Sequence, residues 1–339
     1  MKRDSCLIAM ALLIAGYAQA SDRLLYAEAQ VVASYSSFGH PHPDYLNEFG
    51  WYSMDQMDVM QKPSLGFDLV QRLSTETGDW GMFAVQARFA YDKTHNGYVE
   101  PQLYNAYLKV KPGFGDVWFG HNKPAFGLAS YLDNHGTLLQ PLSMYGYGFD
   151  RDWGMGYYRD FESGNLAFSA TLGSGMPIYA NGNYLFSGRI SKGDLNQQNY
   201  NIGLSASYGR IMESMGYDMF DVAEIPVEQT MLGIDGSLFV GRWENRAELL
   251  WHRKADLRSA EPFPVLPGVL FHRITINLLS ENRLKYEWQN IWRFGAGGEI
   301  STELGISYQL TPDFFIRTTA GLYDEQLKTV AQLYWYHKI

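Results

Sequence analysis

In the stretch LLYAEAQVVASY, the residues Leu25, Ala27, Ala29, Val31, Ala33 and Tyr35 form one apolar set, with Tyr26, Glu28, Gln30 and Ser34 standing between them. A period of two puts the two sets on opposite faces of a β-strand. The stretch WGMFAVQARFAYD repeats the pattern, setting Phe83, Val85, Ala87, Phe89 and Tyr91 against Met82, Gln86, Arg88 and Asp92. If the greasy side faced lipid, Arg88 would face inward; the reverse register would cost roughly 2–4 kcal/mol for an arginine near the bilayer midplane.

Two further strands carry a measure of height. Tyr200 and Tyr208 bracket Ile202, Leu204 and Ala206, while Trp243 and Trp251 bracket Asn245, Ala247 and Leu249. At about 3.3 Å per residue and a tilt of about 40°, this separation rises roughly 20 Å, close to the distance between the two aromatic girdles of a membrane barrel. A soluble sandwich also alternates, but its apolar face is a core and has no reason to end in aromatics at both sides.

The links between strands alternate long and short, as expected of a barrel with long external loops and short periplasmic turns. Ser36–Pro63 is long, STETGD short, KTHNG intermediate, KPGFG short, Lys123–Asp152 long and ESGN short. KGDLNQQN, GR, SEN and TPD fall at later periplasmic positions, between external segments near Ser174–Asn183, Met212–Gln229, Ala255–Val269 and Phe294–Gly298. The pattern predicts an all-β transmembrane antiparallel barrel of about sixteen strands, with fourteen as the alternative. Residues 123–152, with neither helix nor strand periodicity, become the third external loop. A structureless segment of this length inside a compact domain is most often functional.

Composition narrows the class further. Tyr (24), Gly (34) and Trp (9) are abundant, and no apolar run after the first residues is long enough for a membrane helix. Lys2 and Arg3, an apolar run from Cys6 to Ala15, and Ala18-Gln19-Ala20 form the pattern of a secretory signal peptide over residues 1–20, leaving 21–339 as the barrel. Cleavage would remove the only cysteine, excluding disulfides, thiolate metal sites and thioether-attached haem from the remainder. The net charge of −9 argues against nucleic acid, which needs a basic footprint. No cofactor is expected. The expected surroundings are outer-membrane lipid and small hydrophilic solutes.

AYLKVKPGFGDVWFGHNKPAFG at Ala106–Gly127 and FDRDWGMGYYRDFESGNLAFSATLG at Phe149–Gly173 resemble the porins grouped with the phosphate- and polyphosphate-selective type. The last hairpin, YQLTPDFFIRTTAGLYDEQLKTVAQLYWY, is similar to the closing hairpin of that group. The resemblance implies a sixteen-stranded barrel in the bacterial outer membrane, usually trimeric, with the third loop folded inward as a constriction. Anion-selective members are implied to carry a ladder of inward arginines and a lysine cluster. Here Lys123 and Arg151 are accompanied by Asp133, Asp150 and Asp152, so phosphate selectivity is not carried over.

By register, the charges facing the lumen are Glu28, Asp68, Arg72, Arg88, Lys109, Arg159, Arg189, Glu244, Arg246, Glu248, Lys285 and Glu287. Mixed signs orient dipolar solutes across a pore without strong net selectivity. The loop adds Lys123, Tyr131, Asp133, His135, Tyr145, Tyr147, Asp150 and Arg151 as constriction candidates. Its aromatics, with Phe149, have the flat apolar surface that suits sugar rings. His135 with Thr137 or Ser143 invites comparison with lipid-face hydrolases, but the loop has no nucleophile-elbow spacing, and no enzymatic activity is expected. HPHPD at His40–Asp44 reads as a stiff solvated turn in preference to a metal site. The leading expectation is a general or weakly selective porin. The alternative is a scaffold barrel sheathing a periplasmic partner such as a multihaem cytochrome.

Overall fold

The computed structural model describes residues 23–37, 48–50, 61–76, 78–92, 97–133, 135–215, 218–219, 225–255, 266–294, 298–323 and 326–339. The expected leader and HPHPD lie outside them.

Sixteen long strands close an antiparallel barrel. They are β1 (Arg23–Ser37), β2 (Ser64–Thr75), β3 (Gly78–Tyr91), β4 (Val99–Val110), β5 (Asp116–Asn122), β6 (Asp152–Phe161), β7 (Gly164–Thr171) and β8 (Tyr184–Lys192). The second half comprises β9 (Tyr200–Ile211), β10 (Val227–Val240), β11 (Trp243–Ala255), β12 (Leu266–Leu278), β13 (Leu284–Phe294), β14 (Ile300–Thr311), β15 (Phe314–Tyr323) and β16 (Gln326–Lys338). Each pairs with the next, and β1 closes the ring on β16 over Tyr26↔Lys338 to Ser37↔Leu327. Closure gives every strand of the ring a neighbour on both sides among the described residues, the condition for a sheet to stand in hydrocarbon.

The faces follow the alternation. Outward positions carry exposed apolar side chains, among them Leu65, Phe89, Phe119, Phe168, Ile190, Leu204, Ile234 and Leu304. Tyr208, Trp243 and Trp251 are exposed on the same side, as the girdle reading requires. Inward positions carry buried polar groups such as Glu28, Gln30, Gln86, Arg88, Arg189, Asp235, Arg273 and Gln289.

One irregularity shapes the lumen. Between β3 and β4 the register runs Gln86↔Asn105 and then Ala87↔Leu103, so Tyr104 is an extra residue. Such a bulge turns two successive side chains to one side. Tyr104 and Asn105 therefore both face the lumen, where each meets a residue of the third loop.

Candidate functional site

The chain leaves β5 at Asn122 and enters β6 at Asp152. Between these points it crosses the barrel interior, because its backbone donors find acceptors on successive far strands. Ala125 N–H donates to Ser169 Oγ on β7 (3.0 Å), Gly127 N–H to Ser205 Oγ on β9 (2.9 Å) and Leu128 N–H to Glu248 Oε1 on β11 (3.3 Å). Gly127 has φ 55° and ψ −156°, a conformation essentially restricted to glycine. An added Cβ would also collide with the Glu248 carboxylate, which would have to swing aside.

Apolar burial then fixes the loop. Phe126, Leu128 and Leu142 share a buried cluster with Met231, Leu250, Val269, Phe271 and Ile291, which face inward from β10 to β13. Each such side chain buried contributes about 1.5–3 kcal/mol. On the other wall, Leu138 packs with Val32 and Val330. Arg317 of β15 donates to the Gly136 carbonyl at 2.6 Å and to Gln332 at 3.0 Å.

Between these apolar anchors lies a polar lock. His135 is buried with Nε2 3.0 Å from Glu28 Oε2 and 2.7 Å from Arg88 Nη2; its Nδ1 is 2.8 Å from Gln86 Nε2. Arg88 is fully buried, ion-paired to Glu28, and donates to Tyr104 Oη at 2.8 Å. Tyr104, Tyr334 and Tyr336 present ring edges to the imidazole, and Asp133 accepts the His135 backbone N–H. Burial first, and then the Arg88 charge, push the His135 pKa down to about 4.

This depression sets the sign of a pH dependence. An undocked loop binds a proton at His135 near the ordinary value of about 6.5, whereas the docked loop does not. Docking is therefore complete above that value and weakens as pH falls from about 6.5 towards 4, by at most about tenfold per pH unit for one proton. Limited proteolysis of the loop should accelerate in this window, and His135→Gln should remove the dependence.

The third cluster faces open space. The Asp133 side chain is 71% exposed, while its two cations are withdrawn behind it: Lys123 Nζ at 3.9 Å and Arg151 Nη2 at 3.5 Å, with side chains 16% and 4% exposed. Arg151 also pairs with Asp150, donates to Asn105 Oδ1 at 3.0 Å and lies 5.1 Å from the Tyr104 ring centre. Lys123 donates to the Leu132 carbonyl, and burial followed by the Arg151 charge lowers its pKa to about 8. Asp68 on β2 and Tyr107 on β4 stand within electrostatic reach of Asp133. Next to Lys123, a luminal cavity of about 180 Å³ is lined by Tyr107, Lys109, Trp118, Asn122, Ser130 and Tyr158.

The remaining candidates divide by environment. Tyr131 donates to Asp235 (3.2 Å), beneath the Arg189 guanidinium, which pairs with the same carboxylate at 2.6 Å. Tyr145 donates to Glu303 at 3.1 Å, and Tyr147 packs on His252 and the apolar cluster. These tyrosines are spent on the wall and are not free for sugar stacking. Lys109 pairs with Asp116 (3.2 Å), Arg246 with Glu244 (2.9 Å), and Arg72 lies exposed near the periplasmic turn.

Arg159 departs from the expected inward position. It pairs across the sheet with Leu166, on the side of exposed Phe168, and its guanidinium lies 5.2 Å from the Phe161 ring centre. It is therefore on the outer face beside the Glu162–Ser163 turn, where a cation at the interface costs only about 0–1 kcal/mol. Neither loop hydroxyl is bonded to His135. Thr137 Oγ1 donates to the Leu139 carbonyl at 3.2 Å, and Ser143 Oγ has no hydrogen-bond partner among the described residues.

Sequence reasoning missed Tyr104, Asn105, Asp235, Glu303 and Arg317 as partners of the loop. The bulge had a signal, since the apolar phase passes from Leu103 to Ala106, Leu108 and Val110.

No family model matches the sequence, and no curated protein matches it. Solved structures do. The chain is similar to an anion-selective porin from Comamonas acidovorans, with 10% identity, 94% of this chain and 100% of that chain covered, and a TM-score of 0.64. It is similar to the trimer form of OmpT, an outer membrane protein of Vibrio cholerae, with 12% identity, 94% and 100% covered and a TM-score of 0.63. The outer membrane channel DcaP of Acinetobacter baumannii matches with 11% identity, 94% and 97% covered and a TM-score of 0.60. At these identities the likeness is one of fold: a closed, sixteen-stranded antiparallel β-barrel of the kind these outer-membrane proteins share.

Proposed function

We propose that the protein is a porin for passive diffusion of small hydrophilic solutes or ions, with weak selectivity, and that residues 123–152 form its constriction. The observation that carries this reading is the unequal filling of the lumen. Loop residues Phe126, Leu128 and Leu142 make an apolar core against β10–β13, whereas on the opposite side Asp133 stays exposed and a cavity with mixed charged and aromatic lining remains between the loop and β4–β7. A solute passes Asp133, Lys123 and Tyr107, then Lys109 and Asp116, towards the periplasm. Diffusion through such a slot is governed by its width and wall charge. No chemistry is assigned to the chain, since His135 is occupied by Glu28 and Arg88. In this reading the assembly is a homotrimer, as in one of the similar structures.

The scaffold alternative finds less support, because the loop takes up space on the central axis that a sheathed partner needs. Swelling of liposomes in sugars of increasing size tests the reading. Uptake should cut off near the size of a small oligosaccharide, and no uptake of any sugar or ion would refute it.

Asp133 also makes a selectivity prediction. A unit charge about 4 Å from a passing ion is worth about 1 kcal/mol in a water-like medium. Asp133→Asn should therefore lower cation permeability by up to about fivefold at low salt and raise anion permeability by a similar factor, shifting the cation-to-anion ratio by up to about thirtyfold. Reversal potentials in a salt gradient measure it, and an unchanged ratio would place the passage elsewhere.

A further inference from the structure

The outer face of β12–β14 gathers a cluster of polar side chains inside the lipid-facing belt. His272, Asn290 and Thr302 occupy outward positions on three successive strands and stand directly opposite one another in the ladder. His272 is also opposite Ala247, midway between the girdle residues Trp243 and Trp251. Asn290 is likewise midway between Tyr286 and Phe294, both exposed. An imidazole and an amide thus sit near the middle of the hydrocarbon layer, where acyl chains provide no hydrogen bonds.

Their local bonding is incomplete. Thr302 Oγ1 donates to Asn290 Oδ1 at 2.9 Å, which leaves the amide hydrogens of Asn290 as donors. Asn290 is only 4% exposed, so a partner must insert a side chain between its same-face neighbours Trp288 and Trp292 to reach it. The His272 ring is stacked on Trp292, with centroids 6.4 Å apart, and neither ring nitrogen has a hydrogen-bond partner among the described residues. Around them Trp288, Ile300, Leu304 and Ile306 are exposed and apolar. No charged side chain would have to be stripped of water if this surface were covered.

We propose that this face is a contact between copies of the chain, in which His272 of one copy accepts a hydrogen bond from Asn290 of the next. The patch is complementary to itself: it presents an acceptor on β12 and a donor on the adjacent β13. One copy can satisfy another whether the copies close as a pair or as a ring. A lipid headgroup cannot reach this depth, and a second copy brings the missing partner at the right height automatically. Polar side chains buried between membrane segments hold them together in this way.

Cysteine cross-linking in native membranes tests the proposal, in a Cys6→Ser background that leaves no other cysteine. Leu304→Cys lies beside the patch and Leu204→Cys lies on β9, with native side chains 58% and 56% exposed. At least tenfold more cross-linked product is expected at position 304 than at 204; equal yields, or none at 304, overturn the contact. Heat-modifiable gel migration confirms that each variant is folded. Independently, the double variant His272→Leu/Asn290→Leu should lower the temperature at which the oligomer dissociates while the barrel stays folded. A lipid-facing patch would respond the opposite way, with the leucines leaving the oligomer unchanged or firmer, and that result would also overturn the proposal.

Discussion

Replacing Arg88 by leucine is expected to destabilise the protein by about 3–5 kcal/mol, the cost of leaving one member of a buried ion pair without its partner. The guanidinium is fully buried, pairs with Glu28, donates to Tyr104 and approaches His135. Its loss strands the Glu28 carboxylate inside the barrel and frees the loop at its central polar contact. Glu28→Leu alone should be similarly costly, because it leaves the guanidinium unpaired. The double variant should recover most of the loss, since two apolar residues in place of a buried pair are often neutral. Denaturant or thermal unfolding of the refolded barrel measures all three. Additive single losses in the double variant would mean that the pair is not coupled.

The second large effect is expected at Gly127. Gly127→Ala places a methyl group on the Glu248 carboxylate in a backbone conformation, φ 55° and ψ −156°, that alanine does not hold, so the carboxylate is pushed aside and the backbone relaxes away from its anchored path. The strained conformation alone costs about 1–3 kcal/mol, and displacement also breaks the Leu128 amide bond to Glu248. Gly146→Ala is the matched control: its φ is 81°, but nothing lies within 4 Å of an added Cβ. The Gly127 variant should show larger and noisier single-channel currents, and the Gly146 variant currents close to those of the unaltered chain. Identical currents in both would dissociate the anchor from the loop's position.

The contrast between Arg88 and Gly127 also explains how much could be read from the residues. Strand existence and register were legible because an outward charge is so costly; Arg88 and Gln86 on one side, and Phe83, Val85 and Phe89 on the other, leave a single arrangement. The loop's path was not legible. Its anchors join Leu128 to Glu248 and Gly136 to Arg317, pairs separated by more than a hundred residues, and no periodicity encodes them. Arg159 was misplaced for a related reason. Near a turn the penalty for an outward charge vanishes, and with it the force of the pattern. Tyr131, Tyr145 and Tyr147 illustrate a further limit, because an aromatic offered to a solute and one buried against a wall look alike in sequence.

The proposed function rests above all on a water-filled slot that persists between Asp133 and the β2–β5 wall while the loop stays docked. Single-channel recording of the refolded protein in planar bilayers tests it directly. Discrete open-channel steps are expected at neutral pH, with a small conductance that rises when Gly127 is replaced by alanine. Absence of open-channel steps at every applied voltage, for a barrel shown to be folded and inserted, would contradict it.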